Sequence, residues 1–132
     1  MVTAVKTELG RISDWLLYEN CDIGRYSRDN VSITVPANTT YLSGTVLGKN
    51  AAGTLYIEYD NVDPDGGAAA GILAEPVTNT TGGSLTIKGA AVVREARIAP
   101  SGLIYKSGLV DADKIAALAD LKALGILTVP EA

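Results

Sequence analysis

The sequence contains no histidine, no phenylalanine and a single cysteine, Cys21. Without histidine there is no imidazole base to activate a serine or cysteine nucleophile, and the common zinc ligand sets are largely missing. One cysteine cannot form a disulfide within its own chain, so a disulfide-rich secreted scaffold is excluded. We therefore expect a protein without enzymatic activity and without a bound metal or cofactor.

Basic residues and long apolar runs are also scarce. Lysines and arginines number 11 against 15 acidic residues in a chain of 132, which gives no electrostatic attraction toward nucleic acid or anionic lipid. The apolar runs are short and broken by glycine, far from the roughly 20 residues that cross a bilayer. Charges at Lys6, Glu8, Arg11 and Asp14 interrupt the N-terminal stretch, which lacks the apolar core of a signal peptide. The expectation is one soluble domain, made in the cytoplasm, with no nucleic-acid, membrane or small-molecule partner.

Residues 1–30 combine mixed charge with no sustained hydrophobic period, which predicts an extended N-terminal arm. Its main apolar residues, which are our candidate contacts with another subunit, are Leu9, Ile12, Trp15, Leu16 and Leu17. The spacing of Leu9, Ile12 and Leu16 fits one face of a short helix, which would be marginal in water without a partner. The arm therefore packs onto its own domain or is ordered by a neighbour. Trp15 is accordingly either a local core residue or an anchor in another subunit.

From residue 31 the apolar pattern changes to period two, as expected for strands with one buried face. The predicted strands cover residues 31–35, 41–48, 54–59, 69–75 and 85–98, and turn-forming residues separate them. Gly89 is predicted to form a bulge or a bend within the last of these strands. Short strands at this spacing indicate a mainly β domain, a small sandwich or barrel, over residues 31–132.

The last thirty residues switch to a helical period. Residues 111–124 predict one helix, with Asp111 as its N-cap and Gly125 at its C-terminal end. Its apolar face consists of Ala117, Leu118, Leu121 and Leu124, which indicates that the helix covers the sheet. Residues 126–130 can add a last short strand before Pro130.

Charge is unevenly distributed along the chain, with acidic residues concentrated near its middle and basic residues in the stretch that follows. Two solvated faces would explain this pattern. Alternatively, an acidic edge of one subunit meets a basic edge of the next in a head-to-tail ring. The candidate residues for such a contact are Asp60 and Asp63 on the acidic edge, and Arg94 and Arg97 on the basic edge.

Two glycine-containing motifs are similar to ligand-binding loops but fit them poorly. Residues 44–50 lack the spacing of a phosphate-binding loop and the Ser or Thr that holds magnesium, so Gly44 is predicted in a strand and Gly48 at a turn. Residues 61–66 match the first half of a calcium loop, but Ile72 stands where the bidentate glutamate belongs. A turn explains this segment more simply.

Paired carboxylates are the one catalytic device that the composition leaves open. Glu58, Asp60, Asp63 and Asp65 are candidates by residue type. They cluster on one loop, however, whereas such pairs normally face each other across a cleft. A small hydrolase is therefore disfavoured.

Several short motifs occur in an order and spacing that resemble a known family. They are Ser27–Val31, Tyr41–Gly48, Asp65–Gly66, Ala70–Glu75 and Lys88–Ala90, and with the closing helix they extend from about residue 27 to residue 128. The series resembles the lambda-type phage head decoration proteins. The motif residues that we interpret as structural are Gly44, Gly48, Asp65, Gly66, Gly71, Ile72 and Leu73.

The resemblance implies a β-rich domain of the β-clip kind that assembles as a homotrimer on the outer surface of the expanded phage head. It would lie at local three-fold sites and cement neighbouring major capsid proteins against the pressure of the packaged DNA. In that family the N-terminal arm orders on the capsid, so the five apolar arm residues are also candidate capsid contacts. A virion-surface module that recognises glycans through the acidic loop at 60–67 is the alternative.

Overall fold

The computed structural model describes residues 12–19, 27–62 and 66–129. The strands of this part of the chain are β1 (Leu16–Glu19), β2 (Arg28–Val35), β3 (Thr39–Tyr41), β4 (Val46–Lys49), β5 (Tyr56–Glu58), β6 (Ala69–Leu73), β7 (Val77–Asn79), β8 (Leu85–Val92), β9 (Ala96–Ile98) and β10 (Ile126–Thr128). Helix α1 (Asp111–Ala123) separates β9 from β10, and single 3-10 turns form at Ile12–Asp14 and Pro100–Gly102. The prediction of a mainly β domain with one C-terminal helix is confirmed.

Five strands close into a barrel in the order β2–β5–β4–β6–β8. Its longest pairing joins β2 and β8, which run antiparallel and in register over all eight residues of β2. The alternation predicted from the sequence places Val31, Ile33 and Val35 on the inner face, where all three are buried. The barrel therefore follows directly from the period-two pattern of its strands.

The strand predicted over residues 85–98 is in fact two strands, β8 and β9. A turn separates them, and Glu95 in this turn has a φ of 43°. Gly89 does not form the predicted bulge, since the register between β2 and β8 continues through it. A Cβ atom at this position would lie 3.0 Å from Cγ1 of Val77 and 3.1 Å from Cδ1 of Ile33. The glycine allows close packing inside the barrel.

A three-stranded sheet in the order β1–β9–β10 lies beside the barrel. Strand β1 is antiparallel to β9, and β10 is parallel to it. The short helix suggested by the spacing of Leu9, Ile12 and Leu16 is not what the described residues form, because Ile12–Asp14 is a single 3-10 turn and Leu16 begins β1. Pairing with β9 satisfies the backbone N–H and C=O groups of this segment as a strand. The local sequence does not predict that pairing.

Two hydrophobic cores result from this arrangement. One fills the barrel, and the other lies between the barrel, α1 and the three-stranded sheet. On α1, Ala117 and Leu121 are completely buried in the second core and Leu118 packs against it, whereas Leu124 is 37% exposed. The helix therefore covers the barrel as predicted, on a face slightly narrower than expected.

The start of α1 differs from the prediction. Its N-cap is Val110 rather than Asp111. The carboxylate of Asp113 accepts a hydrogen bond of 3.1 Å from the backbone N–H of Val110. An acidic side chain in the first turn thus accepts a hydrogen bond from the N-cap N–H, whereas the predicted N-cap side chain would have accepted one from an N–H inside the helix.

Candidate interaction surface

Trp15 lies in the chain's own core. Its side chain is completely buried, and its indole Nε1 donates a hydrogen bond of 3.0 Å to Oγ of Ser43. Its carbonyl accepts a hydrogen bond of 2.8 Å from the N–H of Ala99. Gly102 packs so closely that a Cβ atom there would clash with the carbonyl oxygen of Asp14. Of the two alternatives for Trp15, the structure shows the local core residue.

The other predicted arm contacts lie in different environments. Leu9 is outside the described residues. Ile12 and Leu16 are half-buried and pack against the second core. Leu17, in contrast, is 54% exposed. Among the four arm candidates that the structure describes, Leu17 is thus the one left accessible to a partner.

Leu17 lies at an irregularity in the pairing of β1, an edge strand of the three-stranded sheet. In the register of this sheet Tyr18 lies opposite Arg97, which lies opposite Leu127, so the three side chains form one row across β1, β9 and β10. Tyr18 is 56% exposed, Leu127 is 39% exposed and Arg97 is also exposed. We call Leu17, Tyr18, Arg97 and Leu127 the outer sheet face. Tyrosine and arginine are enriched among the residues that dominate binding at protein interfaces.

A second exposed group surrounds the start of α1. Val62, Val110 and Ile115 are each at least 60% exposed. Asp113 holds this region together, because its Oδ1 accepts a hydrogen bond of 2.9 Å from the amide of Asn61 while its Oδ2 accepts the one from Val110. These two hydrogen bonds lower the pKa of the Asp113 carboxyl. The carbonyl of Asp113 also accepts a hydrogen bond of 2.8 Å from the hydroxyl of Tyr59.

We call Val62, Val110, Asp111 and Ile115 the helix-start patch. Its apolar members, like Tyr18 and Leu127 of the outer sheet face, were not among the site residues predicted from the sequence. One signal was present, since Ile115 lies outside the apolar face predicted for α1. The loop residues Val62 and Val110 gave no comparable signal, because their exposure depends on how the loop packs against the helix.

The family-motif residues occupy structural positions. Gly44 has a φ of 100° in a turn and Gly48 lies within β4, so the predicted places of these two glycines are reversed. A Cβ atom on Gly48 would lie 2.8 Å from Cα of Gly66, which itself has a φ of 77°. A Cβ atom on Gly71 would lie 3.0 Å from the carbonyl oxygen of Val92. Close backbone approach and positive φ explain why glycine fits these positions.

Two of the three remaining motif residues are described, and both are core residues. Ile72 and Leu73 on β6 are completely buried, one in each core. Asp65 is outside the described residues. A structural role for this motif is consistent with these positions.

Two of the four charged candidates, Asp60 and Arg94, have charged partners within the chain. Asp60 forms an ion pair of 3.8 Å with Lys106. The guanidinium of Arg94 makes two hydrogen bonds to the carboxylate of Asp29, at 2.6 and 3.3 Å. Asp63 lies outside the described residues, and Arg97 has no ion-pair partner within them. Among the three of these residues that the structure describes, Arg97 is therefore the one whose charge is available to a neighbouring subunit.

Of the four acidic catalytic candidates, Glu58 and Asp60 are described, whereas Asp63 and Asp65 lie outside the described residues. Burial raises the pKa of Glu58, an effect that Lys106 opposes and Asp60 strengthens. Within the described part of the chain, no three acidic, cysteine or histidine residues are grouped so that they could hold a metal. Every buried side-chain nitrogen or oxygen in this part has a hydrogen-bond partner. Likewise, none of its helices is long and apolar enough to cross a membrane.

The described residues define a small β-barrel domain with satisfied buried polar side chains and two exposed apolar patches. The comparison with known families identifies it further. Residues 5–126 match the bacteriophage lambda head decoration protein D family, and the chain belongs to this family. No curated protein matches the sequence. The chain is thus a non-enzymatic structural protein that decorates and stabilises the phage capsid and lies on the virion surface, which confirms the resemblance noted from its motifs.

Proposed function

We propose that the chain binds as a trimer to the outer surface of the expanded phage head, at local three-fold sites. There it cements neighbouring major capsid proteins against the internal pressure of the packaged DNA. The observation that carries this proposal is the family match over residues 5–126. The fold supports it through exposed apolar surface at two places on one small domain.

The mechanism is a binding equilibrium coupled to the state of the capsid lattice. A ligand that binds one of two states stabilises that state by RT ln(1 + [L]/Kd). If the decoration protein binds the expanded lattice alone, its binding free energy opposes any return to the compact lattice and any local opening. A trimer that contacts several capsid subunits at once also gains avidity, so that modest contacts per subunit add up to slow dissociation.

The experiment uses purified full-length chain and phage heads that lack their decoration protein. Expanded and unexpanded heads are each mixed with the chain, and bound protein is located by electron cryomicroscopy. We expect three-fold density on the outer surface of expanded heads alone. Decorated heads should also retain their DNA at temperatures or chelator concentrations that open undecorated heads.

Two results would contradict the proposal. One is equal occupancy of expanded and unexpanded heads, which would remove the coupling to expansion. The other is density for isolated single copies away from the three-fold sites, which would remove the trimer. A glycan-binding module would not bind specifically to expanded heads at their three-fold sites. It would instead bind cells or glycans in the absence of heads.

A further inference from the structure

The exposed large apolar side chains of the described residues are unevenly distributed. There are eight such side chains, and six of them belong to either the outer sheet face or the helix-start patch. Single apolar side chains scattered over a surface are ordinary, whereas grouped ones mark contact sites. The grouping therefore indicates that each of the two patches is covered by a partner.

The two patches belong to different elements. The helix-start patch includes Val110 and Ile115 at the beginning of α1, whereas Leu127 lies on β10, which packs beside the second half of α1 and lines a hollow there with Leu118 and Lys122. Both patches are exposed within the chain and so do not cover each other, and a contact between them therefore joins two copies.

Their charges are complementary. Arg97 on the outer sheet face and Asp111 in the helix-start patch have no ion-pair partner among the described residues. The lysines near Asp111 are engaged elsewhere, since Lys114 lies 5.5 Å from the centre of the Tyr105 ring and Lys106 pairs with Asp60. One patch thus offers Arg97 beside apolar groups, with Glu95 lining the same surface, and the other offers Asp111 beside apolar groups. Complementary charges of this kind select the partner and fix the register of a contact.

The geometry points to a head-to-tail contact between copies of this chain, in which the outer sheet face of one copy packs on the helix-start patch of the next. A contact between two different surfaces forms a closed ring when its rotation is a whole fraction of a turn. Three copies related in this way give the trimer of the proposed function, on which this inference rests. Beyond the trimer itself, this arrangement specifies which two surfaces join, and it places Arg97 and Asp111 on opposite sides of each contact.

The test uses two full-length variants, each with one patch disabled. The sheet variant carries Tyr18→Asp and Leu127→Asp, and the helix variant carries Val62→Lys and Ile115→Lys. Leu85→Asp is the matched control, because Leu85 is 43% exposed on the barrel and belongs to neither patch. Copies per assembly are measured by sedimentation velocity in solution and by chemical cross-linking on expanded heads, after circular dichroism has shown that each variant is folded.

We expect each patch variant to lose self-association by roughly tenfold or more, as the loss of dominant interface residues usually causes, while the control matches the wild type. An equimolar mixture of the two variants retains one intact pair of surfaces. Only a head-to-tail contact predicts that this mixture stops at a one-to-one heterodimer. The charge swap Arg97→Glu with Asp111→Arg in the same chain should restore assembly that either single substitution weakens.

The possible failures are distinguishable. If wild-type copies never associate, in solution or on heads, the proposed trimer itself is wrong. If the wild type is trimeric and either folded patch variant remains so, the trimer stands and the assignment of its surfaces is overturned. A sheet variant that stays trimeric but no longer binds heads would show that the outer sheet face contacts the capsid instead. Heterodimers absent from the mixture would also contradict the head-to-tail arrangement.

Discussion

The indole of Trp15 donates a hydrogen bond of 3.0 Å to the hydroxyl of Ser43, 28 residues further along the chain. Ser43 in turn donates one of 2.7 Å to the carbonyl of Ala74 at the end of β6. Both side chains are buried. The segment that leads into β1 is thereby fixed to the barrel by a specific polar contact as well as by apolar packing.

Replacing Trp15 should therefore destabilise the whole domain. We expect Trp15→Ala to lower the free energy of unfolding by about 3–5 kcal/mol, as truncation of a large buried aromatic side chain usually does. Urea denaturation followed by far-ultraviolet circular dichroism measures this change. Leu17→Ala, two residues away at an exposed position, should change stability by no more than about 0.5 kcal/mol. Equal losses from the two substitutions would contradict the assignment of Trp15 to the core.

Gly102 should tolerate no side chain. A methyl group at this position would clash with the carbonyl oxygen of Asp14 and lie 2.9 Å from Cβ of Trp15. We expect Gly102→Ala to cost about 1–3 kcal/mol through overpacking, and amide hydrogen exchange in β1 to accelerate. Gly82→Ala is the control, since a Cβ atom there meets nothing within 4 Å. Unchanged exchange in β1 of the Gly102 variant would show that the contact is dispensable.

Two truncations should behave differently. Deletion of residues 2–11 leaves Trp15 and β1 in place, so we expect the melting temperature of this variant to stay close to that of the full chain. Deletion of residues 2–20 removes Trp15 from the core and uncovers β9, and should lower stability by at least the amount of the Trp15 substitution. Thermal denaturation of both proteins provides the comparison. If the longer deletion were as stable as the shorter one, residues 12–19 would be an appendage of the domain.

Two tyrosines should titrate unusually late. Burial raises the pKa of Tyr41 to about 12, and nearby Glu58 contributes; burial likewise raises the pKa of Tyr59 to about 12, with contributions from nearby acidic groups including Asp120. A phenol with a raised pKa in the folded state stabilises the fold below its unfolded value of 10.0, and this stabilisation is lost as pH rises toward about 12. Ultraviolet titration of the six tyrosines should therefore show a late phase coincident with unfolding.

Tyr59→Phe is the variant that checks this assignment. It should remove one late-titrating group and the hydrogen bond to the carbonyl of Asp113, at a cost of about 1 kcal/mol at neutral pH. A wild-type protein in which all six tyrosines ionise near pH 10 while still folded would refute the buried positions of both phenols.

The parts of the fold that local patterns determine were predictable from the sequence. Alternation in β2 places Val31, Ile33 and Val35 inside the barrel, and the helical period places Ala117 and Leu121 in the second core. Both patterns report on which face of an element is buried, and an element buries the same face whatever its partner is.

The parts that depend on distant partners were not predictable. Strand β1 forms because β9 pairs with it, and its sequence Leu-Leu-Tyr-Glu has no alternation to show this. The same holds for Gly89, whose role depends on the side chains of Val77 and Ile33 from other strands. The ion pair of 3.8 Å between Asp60 and Lys106 was not predicted, because the sequence gives no measure of the distance between two residues so far apart along the chain. Exposure of Val62 and Val110 is likewise a result of tertiary packing.

The position of β9 between β1 and β10 has a mechanical consequence. The strands next to the two ends of the described chain, β1 and β10, both pair with this one short strand. Two neighbouring spacings in a sheet amount to roughly 10 Å, so the ends of the chain meet the fold close together. Tension applied between them reaches Trp15 before it reaches β1, so the hydrogen bond to Ser43 and the three residues of β9 carry the load together.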